Sequence, residues 1–397
     1  MTGAGPSGTI GMAVTNMRVT HVITRLIVGG AQENTIATVR GLRQMPGLEV
    51  NLISGPSAGR EGSLERVAGN PIIVPELVRR IHPLNDLLAL GKLEQILRDQ
   101  RPDIVHTHSG KAGILGRIAA KRAGVPIIVH TIHGPSFGNF QGTASNFIFR
   151  ATEKYAAGVT THFVVVADAM RDQYLRAGIG RPEQYTKIFS GFTLEPFLAA
   201  KDDAALRATL GIEPGDFVIG KIARLFKLKG HDDLFASAPG LIRQNPKIKF
   251  LLVGDGEWRG RFENESRRQR LERHFIFSGL VPPDNVPQYA GIMDVVVHLS
   301  LREGLPRAVP QALAAGKPVV AYDCDGAREA CLDGKTGFLI PPGDLATLKK
   351  RLLQLVNDPA LCRQMGQAGQ NFVRENFPVE KMVRDIYNLY MKLSAGR

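Results

Sequence analysis

Short apolar runs alternate with segments of helical periodicity along almost the whole chain, and they do so in two successive series. In the first series, residues 17–26, 48–54, 103–106, 125–131 and 162–166 read as strands. Helical patterns lie between them at 32–43, 84–98, 110–123 and 147–157. Strands covered on both faces need near-continuous Val, Ile and Leu, so this order predicts a parallel sheet sandwiched by helices. Residues 189–198 follow neither period and carry Gly191 and Pro196. The alternation then restarts after a polar helix at 202–210. Strands are expected at 217–223, 249–253, 276–279, 295–299 and 318–322, and helices at 234–244, 258–270, 286–290, 308–315, 345–355 and 358–374. Residues 378–393 form a last amphipathic helix with Val379, Met382, Val383, Ile386, Leu389 and Tyr390 on its apolar stripe.

The reading is therefore α/β: two doubly wound domains with a boundary near residue 195. A chain of 397 residues is long enough for two cores of ordinary size. Residues 1–16 are rich in Gly, Thr and Ala without a charged start or an apolar stretch. They read as a loose tail, not a signal peptide. Two sheets of this kind leave a cleft at the carboxyl ends of their strands, so functional residues are expected on loops that follow strands.

Composition narrows the class. The net charge of +13 is spread over both halves. An anionic substrate, an acidic membrane surface or nucleic acid would each suit it, and a generally basic proteome explains it equally well; no compact basic and aromatic stretch favours nucleic acid. Cys324, Cys331 and Cys362 form no CxxC pair and no disulfide framework, which fits a reducing cytoplasm. No apolar run approaches the ~18–20 residues of a membrane span.

Several loops carry candidate chemistry. Gly29 and Gly30 follow the first strand and open a helix, where backbone can approach a ligand and free N–H groups meet an anion. Tight packing explains the pair equally well, because GxGxxG and its acidic partner are missing. His106 and His108 stand two residues apart where a strand ends and a helix opens, but metal binding needs a third ligand that spacing does not place. Ser109 reads as an N-cap, and Lys111 in the first helical turn runs against the helix dipole unless an anion sits nearby, so it is either a structural residue or a contact to an anion or acceptor. His133, just past a strand, is either a structural histidine or a donor to a sugar hydroxyl or forming oxyanion.

Arg224 and Lys229 flank a loop at the end of the first strand of the second series. A forked guanidinium and a point-charge ammonium suit a leaving diphosphate. Glu303-Gly304-Leu305-Pro306-Arg307 follows another strand. Pro310 is harmless only in a first helical turn, so the helix is expected to begin near 307 or 308, with its N–H groups beside those of Gly304 and Leu305. Glu303 can accept from sugar hydroxyls, and Gln311 can bond a diol. Asp323-Cys324-Asp325 has the form of a DxD metal motif, but it opens a Gly turn where Asx chemistry serves as well.

Taken together these segments resemble the retaining GT-B glycosyltransferases, the group 1 glycosyl transferases that include glycogen synthases and phosphatidylinositol mannosyltransferases. The resemblance runs from Gly29-Gly30 to the last helix. It is most specific at 223–230, 252–257, 277–281 and 300–343. It implies a GT-B fold of two Rossmann-like domains: an acceptor-binding domain at 17–195, a nucleotide-sugar-binding domain at 196–377, and residues 378–397 crossing back to the first. It implies that Arg224 and Lys229 bind the donor pyrophosphate, Glu303 the sugar, Gly304 and Leu305 the donor through backbone N–H, and that Val281 lies near the base. His133 would stand at the reaction centre, and Gly29 and Gly30 would close over the phosphates.

The expected chemistry is metal-independent, with no cofactor beyond a nucleotide-diphosphate sugar, UDP-sugar favoured. The acceptor would be a glycan or lipid-linked hydroxyl in surface polysaccharide or lipopolysaccharide assembly. The enzyme would be cytoplasmic, with peripheral contact at the inner membrane face and no nucleic-acid partner. One departure stands out: Gln311 replaces the second acid of the family's E-x7-E motif, the usual ribose ligand. Rival readings are a nucleotide-sugar 2-epimerase on the same fold and a non-catalytic nucleotide-sugar-binding protein.

Overall fold

A computed structural model describes residues 16–57, 62–138 and 141–396. Residues 1–15 of the expected tail lie outside them. The first sheet contains β1 (Met17–Ile23), β2 (Leu48–Ser54), β3 (Ile72–Ile73), β4 (Ile104–His108), β5 (Ile127–Ile132), β6 (His162–Val165) and β7 (Tyr185–Lys187), in the order β3-β2-β1-β4-β5-β6-β7. The second contains β8 (Phe217–Ile222), β9 (Ile248–Val253), β10 (Phe275–Gly279), β11 (Val295–His298), β12 (Val319–Tyr322) and β13 (Gly337–Ile340), ordered β10-β9-β8-β11-β12-β13. Neighbouring strands in both sheets run parallel. This is the two-domain Rossmann-like architecture of a GT-B protein.

Each sheet reverses its winding at its centre, between β1 and β4 and between β8 and β11. The helices on either side of such a point diverge and leave a crevice at the strands' carboxyl ends. The central strands are buried from end to end because helices cover both faces, as in β4, β5 and β11. Three strands escape the sequence pattern: β3, β7 and β13. All three are sheet edges, where one side of the ladder lacks a partner and burial is incomplete, so no long apolar run is required. The helix Asp168–Arg176 was also not expected; only Met170 and Tyr174 are buried along it, too few to set a period.

The chain crosses between the domains twice, side by side. Phe192 donates its N–H to the Phe377 carbonyl at 3.1 Å, and Phe192 bridges Pro378. After the second crossing the helix Val379–Ala395 lies on the first domain. Met382, Val383, Ile386, Leu389 and Tyr390 enter the core built by Val19, Ile36, Val39 and Ile104. Full burial of each apolar side chain contributes about 1.5–3 kcal/mol, which ties the two domains together by more than a linker.

Candidate active site

A cleft of about 1060 Å³ separates the two sheets at the carboxyl ends of their strands. The ten residues given a place at the donor site or reaction centre all line it. Gly29, Gly30 and His133 come from the first domain; Arg224, Lys229, Val281, Glu303, Gly304, Leu305 and Gln311 come from the second. Gln311 reaches it from the helix Ala308–Ala314 and Gly30 from the start of the helix Gly30–Leu42; the others stand on loops that follow β1, β5, β8, β10 and β11.

The centre of the second wall is an ion pair. Lys229 Nζ donates to Glu303 Oε1 at 2.6 Å. The Glu303 N–H in turn donates to Asp325 Oδ2 at 2.8 Å, which fixes the loop after β11. Burial pushes the Glu303 carboxyl up, but the Lys229 charge and nearby His298 outweigh it and hold the group well below the usual carboxylate range. Glu303 is thus a fixed anion with acceptor capacity to spare. Among the described residues, the N–H groups of Gly304 and Leu305 meet no backbone carbonyl. The helix Ala308–Ala314 begins where Pro310 required, and Gln311 stands one turn in. Arg224 lies with its guanidinium 5.2 Å from the Phe226 ring centroid.

Glycine is required at 304 by contact with the other domain. A Cβ there would stand 1.9 Å from the His133 carbonyl oxygen. No such constraint applies at Gly30, where a Cβ would reach only the Arg307 side chain at 3.8 Å. Arg307 Nη1 lies 3.1 Å from Glu33 Oε2 across the cleft. Arg302 donates to the Pro135 carbonyl, a second cross-domain link. The cleft is therefore in a closed arrangement.

His133 lines the first wall. Its Nε2 lies 3.0 Å from Nδ1 of His108, and burial lowers its pKa to about 4, so the ring is neutral at pH 7. His108 and His106, whose spacing left a metal unsupported, are joined by His21 from β1, which sequence spacing did not offer as a third group. Lys111 lines the cleft but is paired with Asp86 at 2.5 Å and bonded to the Arg80 carbonyl, so it is not a free cation for a ligand. Ser109 occupies the N-cap position without a side-chain bond. In the DxD-like segment, Asp323 pairs with Arg328 and Asp325 braces Glu303.

Two residues near the ion pair had been missed. Lys221 is buried on β8 with its Nζ lacking a hydrogen-bond partner; burial, then the Lys229 charge, lowers its pKa to about 7. His298 ends β11 with Nε2 3.4 Å from Glu303 Oε1, close but not aligned for a hydrogen bond. A charged or polar residue inside an apolar strand was the available signal for both.

Comparison with known proteins identifies the family. The family described as "Glycosyl transferase 4-like domain" matches residues 29–188, and "Glycosyl transferases group 1" matches residues 202–372. The UDP-Gal:alpha-D-GlcNAc-diphosphoundecaprenol alpha-1,3-galactosyltransferase of Escherichia coli is 28% identical over 385 residues, spanning 96% of this chain and 98% of its own. The capsular polysaccharide biosynthesis glycosyltransferase CapM of Staphylococcus aureus is 24% identical over 393 residues, 96% of this chain and 100% of its own. The crystal structure of Anabaena Alr3699/HepE in complex with UDP-glucose shares the fold at a TM-score of 0.79 with 23% identity, covering 95% of this chain and 100% of HepE. With one match on each domain and relatives aligned from end to end, the chain belongs to the group 1 glycosyltransferases.

Proposed function

We propose that this glycosyltransferase moves a hexose from a UDP-sugar to a hydroxyl of a lipid-linked glycan, with retention at the anomeric carbon and without a metal ion. The observation that carries the reading is the Lys229–Glu303 pair in a closed cleft that Arg224 and His133 also line. In this reading Arg224 and Lys229 receive the diphosphate, whose charge grows as the glycosidic bond breaks. Fixed cations take the place a metal would fill. Glu303 accepts from sugar hydroxyls, and the Gly304 and Leu305 N–H groups contact the donor. Val281 lies near the base, and Gly29 and Gly30 close over the phosphates. Gln311 meets the ribose as a neutral acceptor in place of an acid, a loss of about 1 kcal/mol. The acceptor hydroxyl attacks from the face the diphosphate leaves, and the leaving phosphate oxygen takes its proton.

The names of the relatives support the substrate class: one uses UDP-Gal and an acceptor on diphosphoundecaprenol, and another acts in capsular polysaccharide biosynthesis. Among the described residues no helix is long and apolar enough to cross a membrane. Surface contact is supported by exposed apolar side chains on two helices beside the cleft. Ile81 just precedes the helix Pro83–Gln100, Leu84, Leu87 and Leu88 lie near its start, and Phe147 and Ile148 lie near the start of Thr143–Ala157. Ile81 and Ile148 also line the cleft, and Arg79, Arg80 and Arg150 flank these positions in sequence. Apolar insertion with basic flanks suits an anionic bilayer, here the cytoplasmic face. A 2-epimerase needs a carboxyl that shuttles protons beside the sugar; Glu303, held ionised by Lys229, is suited to accepting hydrogen bonds instead.

The test is a transfer assay with UDP-hexoses and a polyprenyl-diphosphate sugar in anionic vesicles, with EDTA present. Transfer with an α-linked product from an α-donor is expected. An inverted linkage removes retention, and abolition by EDTA that a divalent ion restores removes metal independence. Interconversion of the nucleotide sugar without transfer supports the epimerase.

A further inference from the structure

The first domain contains a line of hydrogen-bonded side chains that ends at the cleft. It starts on β5, where Thr131 Oγ1 lies 2.6 Å from His106 Nε2. His106 Nδ1 lies 2.5 Å from the Tyr390 hydroxyl, which lies 3.3 Å from His21 Nε2. His21 Nδ1 is 2.9 Å from His108 Nε2, and His108 Nδ1 is 3.0 Å from His133 Nε2. Pairing of β1 with β4 sets His21 opposite His106, and pairing of β4 with β5 sets His108 opposite Thr131. Strand alternation therefore puts all four on one face of the sheet, the face on which the final helix delivers Tyr390. His21, His106 and His108 are buried, at no more than 1% exposure.

Both ring nitrogens of these three histidines are thus in use. The rings run end to end: the His21 and His108 centroids are 5.2 Å apart with planes 10° apart. A metal would need lone pairs converging on one point; here each nitrogen faces a neighbouring ring or hydroxyl. A neutral imidazole has one donor and one acceptor. In an unbranched chain of such groups, joined through a buried tyrosine hydroxyl that spends its one proton on a neighbour in the chain, the direction of one bond dictates all the others.

The far end supplies that direction. Among the described residues, His106 Nε2 is the partner of the Thr131 hydroxyl. A hydroxyl with one buried acceptor donates to it, since an unspent buried donor costs about 1–3 kcal/mol. His106 then donates from Nδ1 to Tyr390, Tyr390 donates to His21 Nε2, His21 donates from Nδ1 to His108 Nε2, and His108 donates from Nδ1 to His133 Nε2. His133 is left with its proton on Nδ1.

We propose that Thr131, His106, Tyr390, His21 and His108 are a relay of positioning residues that fixes His133 as the Nδ1–H tautomer, so that it meets a substrate in the cleft as a hydrogen-bond donor. The relay runs through the final helix, so His133 has its tautomer set only when that helix is docked. Its use in catalysis rests on the proposed function, whereas the tautomer itself does not.

The test is long-range proton–nitrogen NMR on the full chain with nitrogen-15 histidine at pH 7.5, with the His133 signals assigned by their loss in His133→Asn. Wild type is expected to carry its proton on Nδ1 of His133. His108→Gln and Tyr390→Phe are expected to give a mixture of tautomers, with kcat falling on the order of 10-fold, part of what one positioned donor contributes. The donor KM should stay near wild type. A wild-type His133 protonated on Nε2 overturns the relay, as does an unchanged tautomer in both variants or one bound metal ion per purified chain. A tautomer that shifts as stated while kcat does not move upholds the relay and removes His133 from the proposed chemistry. The wild-type spectrum decides the matter even if a variant fails to fold.

Discussion

Lys229 Nζ sits 2.6 Å from Glu303 Oε1, joining the loops that follow two adjacent central strands, β8 and β11. The pair holds the carboxylate ionised and the ammonium in place before any donor arrives. A cation fixed in advance need not reorganise as charge moves onto the leaving group, which is where such groups contribute most. Lys229→Ala and Arg224→Ala are each expected to lower kcat/KM on the order of 10²-fold. Initial rates at varied donor concentration measure this, and a double variant close to wild type would exclude the diphosphate clamp.

Gly304 makes a sharper prediction because its constraint is steric. A methyl group there would overlap the His133 carbonyl oxygen, at 1.9 Å, and both are backbone positions. Neither wall yields by a side-chain rotation, so the cleft has to open. Gly304→Ala is expected to fold normally, with a melting temperature near wild type, and to lose on the order of 10²-fold in kcat, since a small misplacement costs that much. Wild-type turnover in this variant would mean that the closed arrangement is not the working one.

The contact of Arg307 with Glu33 closes the same cleft at its rim, at 3.1 Å. Nε and Nη1 of Arg307 lack aligned hydrogen-bond partners, so the guanidinium is poorly satisfied as it stands. A donor diphosphate nearby would supply the missing acceptors. Arg307→Ala is therefore expected to raise donor KM by about 10-fold, and Glu33→Gln by less. Thermal stabilisation by added UDP measures the same interaction through linkage; unchanged stabilisation in Arg307→Ala counts against the role.

The sequence carried the central strands and the second-domain loops because burial on two faces leaves one composition open to a strand. Val295–His298 has to be apolar, and the loop after it is then located to within a few residues. Edge strands such as Tyr185–Lys187 escape that demand. The predicted cleft residues came together because each follows a strand end, a topological rule that needs no distances. The partner of Lys111 was not legible for the opposite reason: Asp86 lies on another helix, and no local pattern announces that pairing. The third imidazole beside His106 and His108 was hidden likewise, since His21 reaches them only through the β1–β4 register.

Those buried imidazoles set how the protein responds to acid. Burial lowers the pKa of His21 to about 3 and that of His133 to about 4, and holds His106, His108 and His130 well below the ordinary value. The unfolded chain binds protons at these residues near pH 6.5; the folded chain does so only well below that. Between those limits the unfolded state takes up more protons, so stability falls as pH falls. It is fully present above pH 6.5 and erodes first in the unit below it. Each of the four fully buried rings, His21, His106, His108 and His130, costs about 1 kcal/mol between pH 6.5 and 5.5. Carboxylates with lowered pKa values, such as Glu303, lose their contribution only further down, below about pH 4.5, so the early loss belongs to the histidines. Urea unfolding at pH 7.5 and 5.5 is expected to differ by several kcal/mol, and His130→Gln to release about one proton fewer on refolding at pH 5.5. Equal midpoints at the two pH values would mean that these rings are protonated in the folded protein, and that the first domain is not sealed as its burial indicates.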